Sequence, residues 1–170
     1  ADRSFDLIIG ILGILKSGCA YVPFDASYPS DRIDYMVAES GIKTVLIQES
    51  FRNIFSKTPT ELKALDSEWK DFEKESHSNP GVNILPHHLA YVLFTSGSTG
   101  MPKGVGMVQR ALMNLVAWQK TKTNLGAPAR TLQFAPISFD VSFQELFTTW
   151  TTGGTLVLIT DEMRLNAIRL

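Results

Sequence analysis

The sequence predicts an α/β fold of alternating helices and mainly parallel strands. Apolar runs of strand length alternate with segments of helical periodicity along most of the chain. Glycines punctuate the junctions, at Gly18, Gly41 and the pair Gly153–Gly154. The composition, 44% hydrophobic and 19% charged, is that of a globular chain able to bury a core. Strands alternating with helices imply βαβ units and a sheet covered on both faces.

Residues 4–17 read as a nearly all-apolar helix closed by Gly18. The run is too short to cross a bilayer and carries Asp6. No basic segment precedes it and no clean cleavage site follows, so a buried helix of a cytoplasmic protein is expected, not a leader or an anchor. Cys19 is the single cysteine, which excludes a disulfide framework or a cysteine metal cluster. Its apolar, glycine-flanked setting predicts a buried, inert thiol.

Residues 20–25 form a strand-like segment that Pro23 confines to an edge or an end. Tyr28-Pro29-Ser30 is a turn, and Ser30 or Asp31 is placed to cap a helix over 32–40. Ile33, Met36 and Val37 share a face of that helix, and Gly41 ends it. Residues 43–48 read as a buried strand. Residues 49–87 are rich in Glu, Lys, Ser, Asn and Pro, and read as a solvated excursion with a short helix or turn in 60–75. His77 and His87 fall there and His88 directly follows, all without ligand spacing, so no metal site is expected.

Residues 89–94 are an apolar strand that empties into Thr95-Ser-Gly-Ser-Thr-Gly-Met-Pro-Lys-Gly104. Beyond this loop a helix over 110–120, a strand over 131–137, a helix over 142–152 and a strand over 155–160 are expected. Both ends of the chain read as cut: it begins inside a helix without Met, and residues 164–170 look like the opening of another.

The loop carries the first candidate site. Glycines let backbone N–H groups approach phosphate oxygens, and Lys103 offsets their charge. It is not a Walker A loop, because Lys103 is followed by Gly104 and not by Ser or Thr. Composition alone allows a surface turn or a phosphate site. The net charge of −1 offers no basic field for nucleic acid.

The second candidate site is Ser138-Phe-Asp-Val-Ser-Phe-Gln-Glu145, at the exit of an apolar strand, where open α/β sheets bind ligands. Asp140 suits two roles there. It can receive a substrate ammonium through a charge-assisted hydrogen bond, or it can cap the helix that follows.

The loop 95–104 resembles the signature of the adenylate-forming enzymes, which include acyl-CoA synthetases, luciferases and the adenylation domains of nonribosomal peptide synthetases. Residues 15–36, with Tyr28-Pro29 and Arg32-Ile33, resemble the second core motif of the peptide-synthetase branch. Phe139-Asp-Val-Ser142 resembles its fourth, and Asn114-Leu-Val-Ala-Trp-Gln119 also fits. Gln109 stands where family members often carry His.

The resemblance implies a partial AMP-binding (adenylation) domain over 1–170, within the large N-terminal subdomain and truncated at both ends. The implied activity is ATP-dependent formation of an aminoacyl-adenylate. The aminoacyl group then passes, as a thioester, to phosphopantetheine on a peptidyl carrier domain beside a condensation domain. ATP would be held by Thr95, Ser96, Gly97, Ser98, Thr99, Gly100, Lys103 and Gly104, with Lys103 and Thr95 nearest the chemistry. Mg2+ would arrive with ATP, its protein ligand lying outside these residues. Asp140 would bind the substrate amine, with Phe139, Val141 and Gln144 lining the pocket. Asp-Val-Gln is similar to the start of the pattern linked to proline. The family's adenine, ribose and hinge motifs and its C-terminal catalytic Lys are not in these residues, so the segment alone is expected to be inactive. An acyl-CoA or aryl-acid ligase, or a non-catalytic nucleotide-binding fragment, are the rival readings.

Overall fold

The computed structural model describes residues 2–96, 100–123 and 127–166. Helix α1 (Phe5–Lys16) starts where the Ser4 hydroxyl accepts the Leu7 N–H at 3.3 Å. Asp6 in its first turn and Lys16 in its last complement the helix dipole. Helix α2 (Ser30–Ser40) follows and closes on Gly41 at φ +63°. Neither Ser30 nor Asp31 caps it: Pro29 occupies that position and offers no side-chain acceptor. Proline's fixed φ suits the helix entrance without one. Ile33, Met36 and Val37 are all buried.

The excursion holds more regular structure than its polarity predicts. Strand β1 (Thr44–Ile47) leads through a 3-10 helix (Glu49–Phe55) to β2 (Glu61–Ala64), which pairs with β1 in parallel. Helix α3 (Trp69–Phe72) is a single turn. Ala64 and Phe55 are buried with Ile33, Val45 and Ile47 in one core cluster. With buried Leu65 and the partly buried Ile54 and Leu62, these are few inward positions among many polar ones, which is why the composition reads as solvated.

Strand β3 (Leu89–Thr95) pairs antiparallel with β4 (Lys103–Val108), a strand that the glycine-rich composition conceals. The segment at 20–25 contributes one parallel bridge, Tyr21 to Tyr91, and no longer strand. Helix α4 (Gln109–Lys122) leads on to the unit β5 (Arg130–Gln133), α5 (Asp140–Thr151) and β6 (Thr155–Leu158). Strands β5 and β6 are parallel, as a βαβ crossover requires. Gly153 (φ +74°) turns the chain between α5 and β6. At Gly154 a Cβ would sit 2.5 Å from the Ala129 carbonyl oxygen, so only glycine fits. The last described element is α6 (Asp161–Leu165).

The main core lies where α1, β3, α4 and α5 meet, around Ile11, Tyr91, Leu93, Leu112, Phe143 and Leu146. Gln119 of α4 and Thr148 of α5 hydrogen-bond inside it, which satisfies two buried polar groups at once. Cys19 is exposed, against the expected buried thiol. It follows the left-handed Gly18, which turns the chain out of α1 before the apolar packing resumes at Tyr21. No described helix is long and apolar enough to cross a membrane.

Candidate functional site

The hairpin β3–β4 carries the first motif on its rim. Residues Gly97, Ser98 and Thr99 lie outside the described residues. Thr95 pairs with Lys103 across the hairpin, and Phe94 with Gly104. Directly paired residues project from the same face, so the Thr95 and Lys103 side chains leave the same face of the hairpin. Both residues are exposed. The Lys103 side chain has no partner among the described residues. The Thr95 hydroxyl makes only a 3.5 Å contact to the Lys103 carbonyl oxygen, at the limit of a hydrogen bond. A cation and a hydroxyl are thus presented to an incoming anion with little internal competition. Ser96 is exposed beside them.

Two glycines of the motif have different local reasons. Gly100 adopts φ +84°, with open space where a Cβ would be. Its glycine is required by the turn. At Gly104 a Cβ would come within 3.1 Å of Val92 Cγ1 and 3.5 Å of the Phe94 ring, so packing across the hairpin also selects glycine there.

Alternation along β3 puts Tyr91, Leu93 and Thr95 on one face. Tyr91 and Leu93 are buried, and the Tyr91 ring lies 5.7 Å from that of Phe143 in α5. The face that bears Thr95 and Lys103 is therefore the face that meets α5. Thr95 lies about 13 Å along the strand from Tyr91, by the usual rise per residue.

Helix α5 carries the second motif at its N-terminus. Phe139 is the capping residue, and Asp140 is the first residue inside the helix. Asp140 is not the N-cap residue of α5. No side chain caps α5, and the Asp140 carboxylate accepts only the adjacent Val141 N–H, at 2.9 Å. Asp140 is exposed and has no cation partner among the described residues. Burial pushes the Tyr91 phenol above its ordinary pKa, and the Asp140 charge adds to this. Gln144 lies one turn beyond Asp140 on the same side of the helix and is half-buried. Phe139 is 60% exposed and Val141 50%, so both apolar side chains project from the surface described.

The structure thus brings Thr95 and Lys103 together, and Asp140 with Gln144, on elements that share one core. It also adds residues that sequence reasoning missed. Tyr91 links the two motifs. Glu145 accepts the N–H groups of Phe134 at 3.0 Å and Ala135 at 3.1 Å. Ser142 Oγ donates to the Phe139 carbonyl at 2.6 Å. Glu145 closes the second motif, but nothing in the spacing shows that its partners lie upstream. A cavity of about 650 Å³ opens elsewhere, between α1 and β1, with apolar walls that include Ile11, Ile14, Val45 and Leu65. None of the candidate site residues lines it.

The chain is an α/β scaffold that presents a lysine-bearing hairpin and an exposed carboxylate at a helix start. Comparison with known proteins places it further. The AMP-binding enzyme family profile matches residues 1–170, and the chain belongs to that family. It is 40% identical over 169 residues to tyrocidine synthase 2 of Brevibacillus parabrevis, covering 99% of this chain and 5% of that protein. It is 36% identical over 171 residues to surfactin synthase subunit 2 of Bacillus subtilis (strain 168), covering 98% of this chain and 5% of the relative. Among solved structures, it matches the AMPPNP-bound form of the nonribosomal peptide synthetase FmoA3 with a TM-score of 0.81 and 28% identity. That match covers 92% of this chain and 16% of the other. The α-methyl-L-serine-AMP bound form matches with a TM-score of 0.79. The chain therefore spans a small part of each of these relatives.

Proposed function

We propose that this chain is part of an amino-acid-activating ligase of nonribosomal peptide synthesis. The substrate carboxylate attacks the α-phosphorus of ATP. The bond to the β-phosphate's bridging oxygen breaks, and aminoacyl-adenylate and pyrophosphate form. Lys103, Thr95, Ser96 and the amides around Gly100 and Gly104 hold the departing phosphates and offset the charge that develops on them. Gly97, Ser98 and Thr99 join this set in the proposed site. The protein contributes positioning and charge here more than covalent chemistry. Asp140 receives the substrate ammonium, with Gln144 on the same helix face and Phe139 and Val141 beside it.

Magnesium supplied with ATP would screen the polyphosphate charge. Among the described residues no group of three His, Cys, Asp or Glu side chains could hold a metal ion. A phosphopantetheine thiol on a carrier domain would then take the aminoacyl group as a thioester, with AMP leaving. The peptide synthetases among the relatives support carrier and condensation domains as partners.

The observation that carries this reading is the open carboxylate of Asp140. An exposed acid that neither caps its helix nor meets a cation is suited to an ammonium, and an acid lacking an amine would leave it unused. ATP–pyrophosphate exchange by the intact protein, across an amino-acid panel that includes proline, tests it. Exchange with an amino acid is the expected result. Exchange only with simple carboxylic acids would move the protein to the acyl-ligase branch.

A further inference from the structure

The turn that delivers Asp140 is held by side chains where sheet hydrogen bonding has ended. Strand β5 stops at Gln133, and the next backbone groups have no strand partner. The Glu145 carboxylate accepts the Phe134 N–H at 3.0 Å, and both of its oxygens lie 3.1 Å from the Ala135 nitrogen. The Phe134 carbonyl accepts Arg3 Nη2 at 3.1 Å. The Ala135 carbonyl accepts the side-chain amide of buried Gln133. Arg3 itself is nearly buried and pairs with Asp161 at the start of α6. Further along, Phe139 N–H donates to the Pro136 carbonyl at 2.9 Å, and Ser142 Oγ donates to the Phe139 carbonyl at 2.6 Å.

Glu145 is half-buried and its main partners are backbone N–H groups. Burial pushes its pKa up, while the two N–H groups and the more distant Arg3 charge work against that rise. Such a carboxylate is costly to place, and a free end of β5 could have been solvated by water instead. It sits five residues after Asp140, so it points away from the Asp140 face of the helix. It therefore ties the turn to the same helix that presents Asp140 and Gln144.

We propose that Glu145 is a positioning residue for amino-acid recognition, fixing the 134–139 turn against α5 so that Phe139 and Asp140 meet the substrate amine at a set place. This rests on the amino-acid-activating reading above. Arg3 braces the same turn from its carbonyl side. The effect reaches the amine site and not the phosphate hairpin, which is joined to this turn only through the core.

The test compares Glu145→Gln and Glu145→Ala with the wild type in the intact protein. Exchange kinetics are measured with amino acid and ATP varied separately, and melting temperatures are taken alongside. Glu145→Ala is expected to raise the amino-acid KM about tenfold, because small misplacements near a reacting centre carry large penalties. The ATP KM stays within about twofold. Glu145→Gln keeps one acceptor oxygen and is expected to recover part of the loss. A role in folding alone would lower the melting temperature and the active fraction without changing the amino-acid KM, and that outcome overturns the proposal. So does an equal rise in both KM values, or a Gln variant no better than Ala. If the Ala variant does not fold, an unchanged amino-acid KM in the Gln variant decides against it. A wild type with no amino-acid exchange overturns the parent reading and this inference together; a wild type with exchange beside unaffected variants overturns this inference alone.

Discussion

The two motif-bearing regions are built in opposite ways. The β3–β4 hairpin holds its rim by the strand ladder, and Thr95 and Lys103 make almost no side-chain contacts among the described residues. The turn before Asp140 is fastened by Glu145, Arg3, Gln133 and Ser142 on successive backbone groups. In the proposed site the difference suits the ligand each would meet. A polyphosphate is large and multiply charged, and it can be gathered by unpaired donors. A single ammonium group needs one acceptor at one place, and that acceptor must already be positioned.

The largest expected effect lies on the open side. Lys103→Ala in the intact protein should lower ATP–pyrophosphate exchange by about 100-fold or more, the usual loss for a charge-stabilising group at a transition state. Unchanged exchange would remove Lys103 from the phosphate site. Asp140→Asn should come next, with an amino-acid KM raised about 10- to 100-fold, as loss of a hydrogen bond to a charged group predicts. The ATP KM should hold. Equal loss for both substrates would make Asp140 a structural residue, and the contrast between the two regions would fall.

Two glycines sharpen the comparison through stability. Gly154→Ala pushes a methyl group against the Ala129 backbone at 2.5 Å, and should cost about 1–3 kcal/mol on thermal or denaturant melting. Gly104→Ala meets side chains at 3.1 Å and beyond, which can give way, and should cost less. The reverse order would mean that the hairpin is the more tightly packed of the two.

The smallest effect is a pH dependence. Burial raises the Glu145 pKa in the folded state, so the fold binds that proton more tightly than the unfolded chain does. This contribution is present below the ordinary Glu pKa and is lost as pH rises through the raised value. Melting temperatures followed across that acidic window should fall less steeply with rising pH in Glu145→Gln. An unchanged slope would show that Glu145 titrates normally.

Much of the fold was legible in the sequence because helices and buried strands carry their periodicity in adjacent residues. The face of α2 and the glycine turns at Gly18, Gly41 and Gly153 are cases in point. Strand β4 was hidden because Lys103-Gly-Val-Gly-Met-Val108 has low strand propensity and is held by pairing with β3. Strand β2 was hidden because its partner β1 buries only part of it. At the site, Lys103 and Asp140 could be singled out by residue type and motif. Glu145 and Arg3 could not be, since Arg3 meets Asp161 across 158 positions.

By itself, the sequence determined the α/β alternation and the resemblance that family membership bears out, and it marked Lys103 and Asp140 as candidates. These depend on local pattern and residue type. Only the tertiary structure decided that Thr95 and Lys103 share the hairpin face that meets α5, that Asp140 is uncommitted to capping, and that a distant arginine and a downstream glutamate hold its turn. The physical reason is that backbone groups left unpaired at a strand's end take whatever partners the packed chain brings to them, and those partners need not be near in sequence.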